Sequence, residues 1–348
     1  MTAPAHINAA MHVAIEQAQR VKGSTYPNPP VGAVIVSADG DIAGVGATAP
    51  PGGPHAEVIA LRAAGERAAG GTAVVTLEPC NHHGQTPPCV DALVGAGVAA
   101  VVYSINDPNP VAAGGATRLR AAGVEVTGGV CAEEVAAGPL REWLHKQRTG
   151  LPHVTWKFAA SIDGRSAAAD GSSQWITGDA ARADVHRRRA AADAIVVGTG
   201  TVFADNLSLT ARLPNGGLAE RQPLRVVVGK REIPPEFNVT LGDSPTMMLH
   251  SHDPHEVIRA LSARTDVIVE GGPTIAGAFL RAGVIDRILA YVAPVLLGGP
   301  FGAVDDVGVT GIASALRWRY DGVDRIGPDL LISLVPPGLT DPGSALAM

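Results

Sequence analysis

Apolar residues follow two different periods along the chain, and together these periods predict a layered α/β protein. Near the start, Ile7, Met11, Ile15 and Ala18 recur at helical spacing. Residues 31–36 form a short run rich in β-branched residues, which is typical of a buried strand. Further strands are predicted at residues 73–77 and 99–103, and helices at 55–68, 89–96, 116–122 and 133–147. Such alternation favours helices packed on the faces of a sheet.

Gly150 and Pro152 interrupt both periods, and the alternation restarts after them. This break predicts two α/β domains, residues 1–149 and 150–348. In the second, strands are predicted at 153–158, 194–197, 224–228, 266–269, 288–292 and 330–335, and helices at 179–191, 255–263 and 274–282. A chain of 348 residues is long enough for two ordinary cores.

Charge and composition narrow the class of protein. The net charge of −6 predicts no basic surface for nucleic acid or anionic lipid. No apolar stretch is long enough to span a bilayer, and the start lacks the order of a signal peptide. The three cysteines are too few for a disulfide framework, so we expect a cytoplasmic protein with neither a nucleic-acid nor a membrane partner. Cys131 is expected to be a small buried apolar residue.

One histidine and two cysteines stand in segments that suit a zinc ion: His55-Ala56-Glu57, Glu78-Pro79-Cys80 and Pro87-Pro88-Cys89. One imidazole and two thiolates leave the fourth tetrahedral position open for water, as in catalytic zinc sites. Zinc lowers the pKa of that water to ~7. Glu57, which is not a ligand in this scheme, is the expected proton shuttle.

This H-x-E…P-C…C pattern resembles the motif of the zinc nucleobase deaminases. It departs from the common C-x-x-C spacing, because residues 81–88 separate the two cysteines. His82 and His83 lie in this loop, and because adjacent side chains diverge we interpret them as loop or substrate contacts rather than as ligands.

Two glycine-rich turns follow predicted strands in the second half, at residues 196–201 and 269–277. Backbone amides at such turns, with the N-terminus of a following helix, favour phosphate. Neither turn has the spacing of the Rossmann fingerprint. By themselves they are therefore either phosphate sites or ordinary structural turns.

Longer segments carry a closer resemblance. The loop at 81–88, the run Pro27-Asn28-Pro29-Pro30-Val31-Gly32 and the run Asp107-Pro108-Asn109-Pro110 resemble the bifunctional deaminase/reductase family of riboflavin biosynthesis. Residues 159–165, 172–177 and 200–205 resemble its reductase half, and the likeness extends from about residue 5 to about residue 335. It implies an N-terminal three-layer αβα cytidine-deaminase-like domain and a C-terminal dihydrofolate-reductase-like α/β domain.

The resemblance also implies two reactions on a small-molecule substrate. Zinc, held by His55, Cys80 and Cys89, would deaminate 2,5-diamino-6-hydroxy-4-(5-phosphoribosylamino)pyrimidine, with Glu57 as the catalytic shuttle and Asn28 bound to the base. NADPH would then reduce the ribosyl group of 5-amino-6-(5-phosphoribosylamino)uracil to ribityl by hydride transfer to C1′.

Residues of the reductase step follow from the same resemblance. The substrate contacts are Ser173, Arg189, Leu209, Arg212 and Glu270. The NADPH contacts are Ala159, Trp175, Thr201, Asp205, Gly272, Pro273, Thr274, Ile275, Ala276, Gly277 and Ala278. Arg189 and Arg212 suit the substrate phosphate, since a guanidinium can bind it with two parallel hydrogen bonds.

The sequence leaves the roles of the other basic residues less specific. Lys230 and Arg231 are either a clamp for the 2′-phosphate of the cofactor or an exposed basic pair. Arg187 and Arg188 are expected on a solvated helix face. Either Lys157 or Asp163 would supply a proton to the reduction.

Two positions depart from the family. Many members have a histidine in place of Thr48 and an arginine or lysine in place of Gln85, so two possible cationic partners of the substrate phosphate are absent from the deaminase half. Three alternatives follow: only the reductase half is active, the deaminase acts on a tRNA or DNA base, or the chain binds zinc for structure alone. We expect a homo-oligomer, with a dimer as the simplest case.

Overall fold

Two separate sheets organise the chain, one on each side of a boundary between Gly150 and Leu151. The computed structural model describes residues 4–82 and 87–337. The boundary lies one residue after the predicted one, where a helix ends at Gly150 in the left-handed conformation (φ 71°). None of the described helices is both long and apolar enough to cross a membrane.

The first unit holds a five-stranded mixed sheet. Its strands are β1 (Gly32–Val36), β2 (Ile42–Ala47), β3 (Thr72–Leu77), β4 (Ala100–Ile105) and β5 (Glu125–Thr127), in the order β2-β1-β3-β4-β5. Strand β1 is antiparallel to β2 and β3, whereas β3, β4 and β5 are parallel. The helices are α1 (Ala5–Val21), α2 (Ala56–Ala64), α3 (Cys89–Gly95), α4 (Gly115–Ala121), α5 (Ala132–Ala137) and α6 (Arg141–Thr149), with a 3₁₀ turn at Gly65–Ala68.

Glycines on β1 and β2 show that helices cover both faces of this sheet. A Cβ atom on Gly32 would lie 1.9 Å from the carbonyl oxygen of Ala14 in α1, and one on Gly46 would lie 2.3 Å from that of Ala56 in α2. Gly46 pairs with Ala33, and consecutive strand residues such as Gly32 and Ala33 point to opposite faces. Helices α1 and α2 therefore sandwich the sheet, which confirms the predicted three-layer αβα architecture.

The second unit holds an eight-stranded sheet. Its strands are β6 (His153–Ser161), β7 (Ala194–Gly198), β8 (Leu224–Val228), β9 (Thr246–Leu249), β10 (Asp266–Val269), β11 (Arg287–Ala293), β12 (Arg319–Ile326) and β13 (Asp329–Val335). Their order is β12-β13-β11-β6-β10-β7-β8-β9, and only β12 and β13 run antiparallel to their neighbours. The helices are α7 (Asp179–Ala191), α8 (Thr199–Asp205), α9 (Pro254–Ala260) and α10 (Pro273–Arg281), with a 3₁₀ turn at Ile312–Ser314.

Strand β7 shows why these strands read as continuous apolar runs. Val196 packs in the core that contains Phe279 of α10, whereas Ile195 and Val197 pack in a second cluster with Val202 of α8. Both faces of the strand are thus covered by helices, as is usual in parallel sheets. The two-domain α/β fold class is confirmed.

Several elements differ from the prediction. The single helix expected at 133–147 is two helices, α5 and α6, because Pro139 after Gly138 cannot donate the backbone hydrogen bond that would continue α5. The sequence did not predict strands β2, β5, β9 and β12 or helix α8. Strand β5 has only three residues, β12 is a largely exposed outer strand, and α8 begins inside a glycine-rich turn.

Candidate zinc site and reductase cavity

The three predicted zinc ligands converge beside the end of β3. His55 immediately precedes α2, Cys80 follows β3, and Cys89 begins α3. The Nδ1 atom of His55 lies 3.2 Å from Sγ of Cys89 and 3.6 Å from Sγ of Cys80. All three ligand atoms lie within 4.8 Å of one another.

The donor set and its surroundings fit zinc. Cys89 is fully buried and Cys80 nearly so, and the backbone N–H of Cys89 donates to Sγ of Cys80 at 3.4 Å. Hydrogen bonds from the Cys89 thiol and from His55 lower the pKa of Cys80 to about 4. The thiolate is the form that binds metal, and two sulfur atoms with one imidazole nitrogen are ligands typical of zinc.

Glu57 lies in the first turn of α2, two residues beyond His55, with only 4% of its surface exposed. Burial, reinforced by the nearby Cys80 thiolate, raises the pKa of this carboxyl group. It therefore has the properties of a buried acid–base group beside the candidate metal ligands.

Glu78 is a buried carboxylate that the sequence reading did not single out. Its Oε2 atom accepts from the backbone N–H of Asp107 at 3.2 Å, and its Oε1 atom accepts from that of Ala116 at 2.9 Å. It thus ties the start of α4 and the 107–110 segment to the end of β3. Burial raises the pKa of Asp107 to about 6. The signal available in the sequence was an acidic residue directly after a buried strand.

Gly115 allows α4 to approach the ligand loop. A Cβ atom at this position would lie 1.8 Å from the carbonyl oxygen of Pro79, the residue before Cys80. Only glycine permits this contact without displacement of the Pro79 backbone.

The predicted base-binding residue, Asn28, is half-buried in the turn that precedes β1. Thr48 is buried, and its Oγ1 atom accepts from the backbone N–H of Val31 at 3.1 Å, so its hydroxyl has a structural role. His82 is half-buried, and its Nδ1 atom has no hydrogen-bond partner among the described residues. His83 and Gln85 lie outside the described residues.

In the second unit, the two glycine-rich turns lie side by side. Strands β7 and β10 are parallel neighbours, so the turns that follow them meet at one edge of the sheet. The backbone N–H of Gly272 donates to Oγ1 of Thr201 at 2.9 Å and joins the turns directly. Ligand sites of α/β sheets lie at this edge, outside the carboxyl ends of the strands.

A cavity of about 1960 Å³ opens at the same edge. It exceeds the ~300–1,000 Å³ of an ordinary small-molecule site and is large enough for two ligands together. The predicted site residues that line it are Ala159, Ser173, Trp175, Arg189, Thr201, Asp205, Leu209, Arg212, Glu270, Gly272, Pro273, Thr274, Ile275 and Ala278.

Two residues of the predicted cofactor loop face elsewhere. Ala276 is fully buried in the hydrophobic core. A Cβ atom on Gly277 would lie 2.7 Å from the carbonyl oxygen of Asp306, so this glycine allows close packing of the 305–306 segment. Neither residue lines the cavity, and their role as cofactor contacts stays a prediction.

Glu270 lies between two cations in the cavity wall. Its carboxylate accepts from Nε and Nη2 of Arg189, both at 2.8 Å, and Nζ of Lys157 lies 3.3 Å from Oε2. Burial would raise the pKa of Glu270, but the charges of Arg189 and Lys157 outweigh it and hold the pKa far below its ordinary value.

The Arg189 guanidinium is also held by the backbone, because Nη1 donates to the carbonyl oxygen of Thr210 at 3.2 Å. Three of its five N–H donors are thus used within the protein, and its interpretation as a fork for the substrate phosphate stays a prediction. Arg212 is exposed on the cavity wall, and its Nη1 atom donates to the carbonyl oxygen of Gly216 at 3.1 Å. Of the two arginines that line the cavity, Arg212 is the more exposed.

The two candidate proton donors of the reduction differ in position. Lys157 lines the cavity, whereas Asp163 accepts hydrogen bonds from the backbone of Leu297 and Gly298. The Ser161 hydroxyl and these backbone groups lower the pKa of Asp163 to about 2, so it is ionised at neutral pH and has no proton to give.

Arg188 is not on a solvated helix face, contrary to expectation. Its Nε atom donates to Oδ2 of Asp184 at 2.7 Å and to the hydroxyl of Tyr291 at 3.0 Å. Tyr291 also donates to Asp184 and lines the cavity, with Nζ of Lys157 lying 6.0 Å from the centre of its ring. The sequence carried no signal for this cluster, because its members come from α7 and β11.

The remaining basic residues and Cys131 can also be placed. Lys230 and Arg231 are exposed, and the Arg231 guanidinium lies 4.3 Å over the ring of Phe203. His252, not singled out from the sequence, lines the cavity.

Cys131, in the first unit, is only half-buried and has a positive φ of 54°. The expectation that it is a buried apolar residue was therefore wrong.

Two protein-family models match the chain. The cytidine and deoxycytidylate deaminase zinc-binding region matches residues 4–105, and the RibD C-terminal domain matches residues 152–332.

Full-length relatives agree with this division. The riboflavin biosynthesis protein RibD of Mycobacterium tuberculosis is 69% identical over 94% of this chain and 97% of its own length. The structure of Acinetobacter baumannii RibD has a TM-score of 0.84 at 40% identity and covers 95% of this chain and 99% of its own.

A third relative is named by both of its activities. The structure of a diaminohydroxyphosphoribosylaminopyrimidine deaminase/5-amino-6-(5-phosphoribosylamino)uracil reductase from Thermotoga maritima has a TM-score of 0.84 at 32% identity, over 95% of this chain and 99% of its own. One unit has a ligand set suited to zinc, and the other has a large cavity at the carboxyl edge of its sheet. The chain belongs to the RibD family of riboflavin biosynthesis, with a deaminase domain followed by a reductase domain.

Proposed function

We propose that the first unit is a zinc-dependent deaminase of 2,5-diamino-6-hydroxy-4-(5-phosphoribosylamino)pyrimidine. The observation that carries this proposal is the convergence of His55, Cys80 and Cys89 beside the buried carboxyl group of Glu57. The Thermotoga maritima relative is named for a substrate of this description.

His55, Cys80 and Cys89 hold the metal, and zinc bound there would activate water for attack on an amine-bearing ring carbon. Glu57 moves the protons: its carboxylate accepts one from the attacking water, and its carboxylic acid delivers one to the departing amine. Burial excludes bulk water from this group, so the proton stays on the path between water and amine.

Asn28 and His82 are the proposed substrate contacts of this unit. The side-chain amide of Asn28 can donate and accept hydrogen bonds at the edge of a pyrimidine. Nδ1 of His82 has no hydrogen-bond partner within residues 4–82 and 87–337, and a bound substrate would satisfy this buried polar atom.

For the second unit, we propose reduction of 5-amino-6-(5-phosphoribosylamino)uracil with NADPH as the donor. NADPH would supply a hydride to C1′ of the ribosyl group. The joined turns at Thr201 and Gly272 offer backbone N–H groups and the N-terminus of α10 to its phosphates. Ala159, Trp175 and Asp205 complete the proposed cofactor contacts on the cavity wall.

Ser173, Leu209, Arg212 and Glu270 form the proposed substrate side of the cavity. Arg212 binds the substrate phosphate, because its guanidinium is more exposed on the cavity wall than that of Arg189. Lys157 gives up a proton during the reduction, since it lines the cavity and Asp163 is held ionised elsewhere. Glu270 and Arg189 position Lys157 through the buried ion pairs.

The preference for NADPH over NADH rests on the basic residues at the carboxyl end of β8. Lys230 and Arg231 follow that strand, and Arg231 is stacked on Phe203 of α8, a helix whose Thr201 lines the cavity. A 2′-phosphate in this region would gain charge-assisted hydrogen bonds.

Incubation of the full chain with the diaminopyrimidinone phosphate, with and without NADPH, tests both proposals by mass analysis of the products. Without NADPH we expect release of ammonia and accumulation of the deaminated intermediate, and with NADPH its ribityl product. Ammonia release only from a tRNA or DNA base would contradict the deaminase proposal. Reduction with NADH alone would contradict the cofactor proposal.

A further inference from the structure

Three further metal-ligating side chains meet on the surface of the deaminase unit, separate from His55, Cys80 and Cys89. His12 lies on α1, Cys131 immediately precedes α5, and Glu134 lies in the first turn of α5. Their ligand atoms all lie within 4.8 Å of one another, and Nε2 of His12 is 3.2 Å from Oε2 of Glu134.

These separations suit a tetrahedral ion. With Zn–N and Zn–O bonds of about 2.0–2.1 Å and Zn–S of about 2.3 Å, neighbouring ligand atoms are roughly 3.3–3.6 Å apart. The distance between His12 and Glu134 is already near this value. The Cys131 sulfur lies within 4.8 Å of both other ligand atoms.

The ligands stand on well-packed elements. Helix α1 has seventeen residues, and Met11 and Ala14, on either side of His12 and Val13, are fully buried. Helix α5 is anchored by the fully buried Val135, next to Glu134. An ion would therefore bind a site in which the backbone is already in place, which reduces the entropy lost on binding.

The donor set selects the class of ion. Calcium and magnesium prefer oxygen ligands alone, whereas one imidazole, one thiolate and one carboxylate are ligands of zinc and its neighbours in the transition series. A thiolate and a carboxylate with a neutral imidazole also balance the charge of a divalent cation. The side chains of His12 and Glu134 are 56% and 53% exposed, so an ion and a water ligand have access.

A surface ion pair between His12 and Glu134 accounts for only two of the three groups. The third group, the Cys131 thiol, packs against the core and also stands within ligand distance of both. We propose that His12, Cys131 and Glu134 form a second site for a divalent cation of the zinc class, which joins α1 to α5 in the deaminase unit.

Zinc titration of the metal-free full chain tests this site, with bound metal measured after dialysis. We expect two zinc equivalents per chain in the wild type, one in Cys131→Ser and one in Cys80→Ser. Ammonia release should persist in Cys131→Ser and disappear in Cys80→Ser. One equivalent in the wild type that survives in Cys131→Ser would overturn the second site. One equivalent that is lost in Cys131→Ser but kept in Cys80→Ser would overturn the zinc assignment of the deaminase and leave the second site standing.

Variants on the same two helices control for folding. Glu133→Gln changes an exposed neighbour on α5 and should keep both zinc equivalents, whereas Glu134→Gln and His12→Gln should each lose one. Zinc beyond the first equivalent should raise the Tm of the wild type and of Glu133→Gln but not of Cys131→Ser. An equal rise in all three would contradict the proposal.

Cadmium NMR separates the two sites by ligand type, because the shift of the nucleus depends on the number of thiolate ligands. We expect two resonances in the wild type, one from a two-thiolate site and one from a one-thiolate site. The second should be missing from Cys131→Ser. Its presence in that variant would exclude Cys131 as a ligand.

Discussion

Glu57 and Glu270 are both buried carboxyl groups, but their surroundings move their pKa values in opposite directions. Burial raises the pKa of Glu57, whereas Arg189 and Lys157 overcome burial and lower that of Glu270. The raised pKa of the first group favours its protonated form, whereas the second remains an anion that orients cations. Opposed environments of this kind commonly divide acid–base work from electrostatic positioning.

Glu57→Gln should keep the zinc and lose deamination. The amide preserves the shape of the side chain but cannot carry a proton, and general acid–base catalysis contributes ~10²–10⁴-fold. Ammonia release and zinc content measured on the same sample check the prediction. Glu66→Gln, at an exposed position just after α2, is the control and should behave like the wild type. Near-normal ammonia release from Glu57→Gln would move the shuttle to another group.

Glu270→Gln should abolish reduction and lower the free energy of unfolding by about 3–5 kcal/mol, because two buried cations lose their counter-charge. Chemical denaturation at neutral pH measures the loss, with the exposed Glu236→Gln as control.

The stability that Glu270 contributes to the fold should depend on pH in a definite direction. The folded-state pKa of Glu270 is depressed, so its stabilisation is complete above the unfolded-state pKa of about 4.3 and is lost as the pH falls below it. The stability difference between the wild type and Glu270→Gln should therefore narrow below about pH 4. A constant difference down to strongly acidic pH would argue against the ion pairs.

Arg212→Ala should weaken substrate binding more than NADPH binding. A charge-assisted hydrogen bond contributes ~1.5–3 kcal/mol, which corresponds to roughly ten- to a hundredfold in affinity. Separate titrations with NADPH and with the deaminated intermediate distinguish the two, and Arg319→Ala on the outer strand β12 is the control. Loss of NADPH affinity with normal binding of the intermediate would reverse the assignment.

At the level of elements, both sites depend on the close approach of helix ends to strand ends. In the deaminase unit, the start of α4 rests on Pro79 through Gly115 and is bound by Glu78. In the reductase unit, Thr201 in the first turn of α8 binds the turn before α10. A side chain added at Gly115 displaces backbone, whereas one added at Gly272 meets the hydroxyl of Thr201 at 3.2 Å.

Gly115→Ala should displace the Pro79 carbonyl and with it the Cys80 ligand. Misplacement by about 1 Å can cost about 10²-fold in rate, so we expect a deaminase loss of that order with reductase activity unchanged. Gly95→Ala, at the end of the adjacent helix α3, would place its Cβ in open space and should be neutral or slightly stabilising. Equal deaminase activity in the two variants would show that α4 does not position the ligand loop.

At the level of the whole molecule, the two chemistries occupy separate units. The candidate zinc ligands lie in the first unit and the cavity residues in the second, and each unit has its own hydrophobic core. Separate cores allow one site to fail without unfolding the other.

Cys80→Ser should lower the zinc content by one equivalent and abolish deamination, while reduction of the deaminated intermediate continues at the wild-type rate. Metal analysis and an NADPH oxidation assay measure both effects. A parallel loss of reductase activity would show that the units are energetically coupled. Unchanged metal content would exclude Cys80 as a ligand.

The sequence by itself determined the features that depend on near neighbours. Apolar periods predicted most strands and helices, including α7 at its observed bounds, because each element must bury a face. The candidate zinc ligands could be named from residue type and motif alone. The break at Pro139 was missed, although a missing N–H acts locally and is a signal present in the sequence.

Only the tertiary structure decided which distant groups meet. Arg189 faces Glu270 across 81 residues, and Gly272 binds Thr201 across 71, because the strand order places β7 beside β10. That pairing engages a guanidinium that sequence reasoning assigned to the substrate phosphate. His12 likewise meets Cys131 and Glu134 only through the tertiary fold, which brings residues more than 100 positions apart together. Charge, hydrogen bonding and metal affinity depend on distances of a few ångströms, and those distances are set by the packing of elements rather than by spacing along the chain.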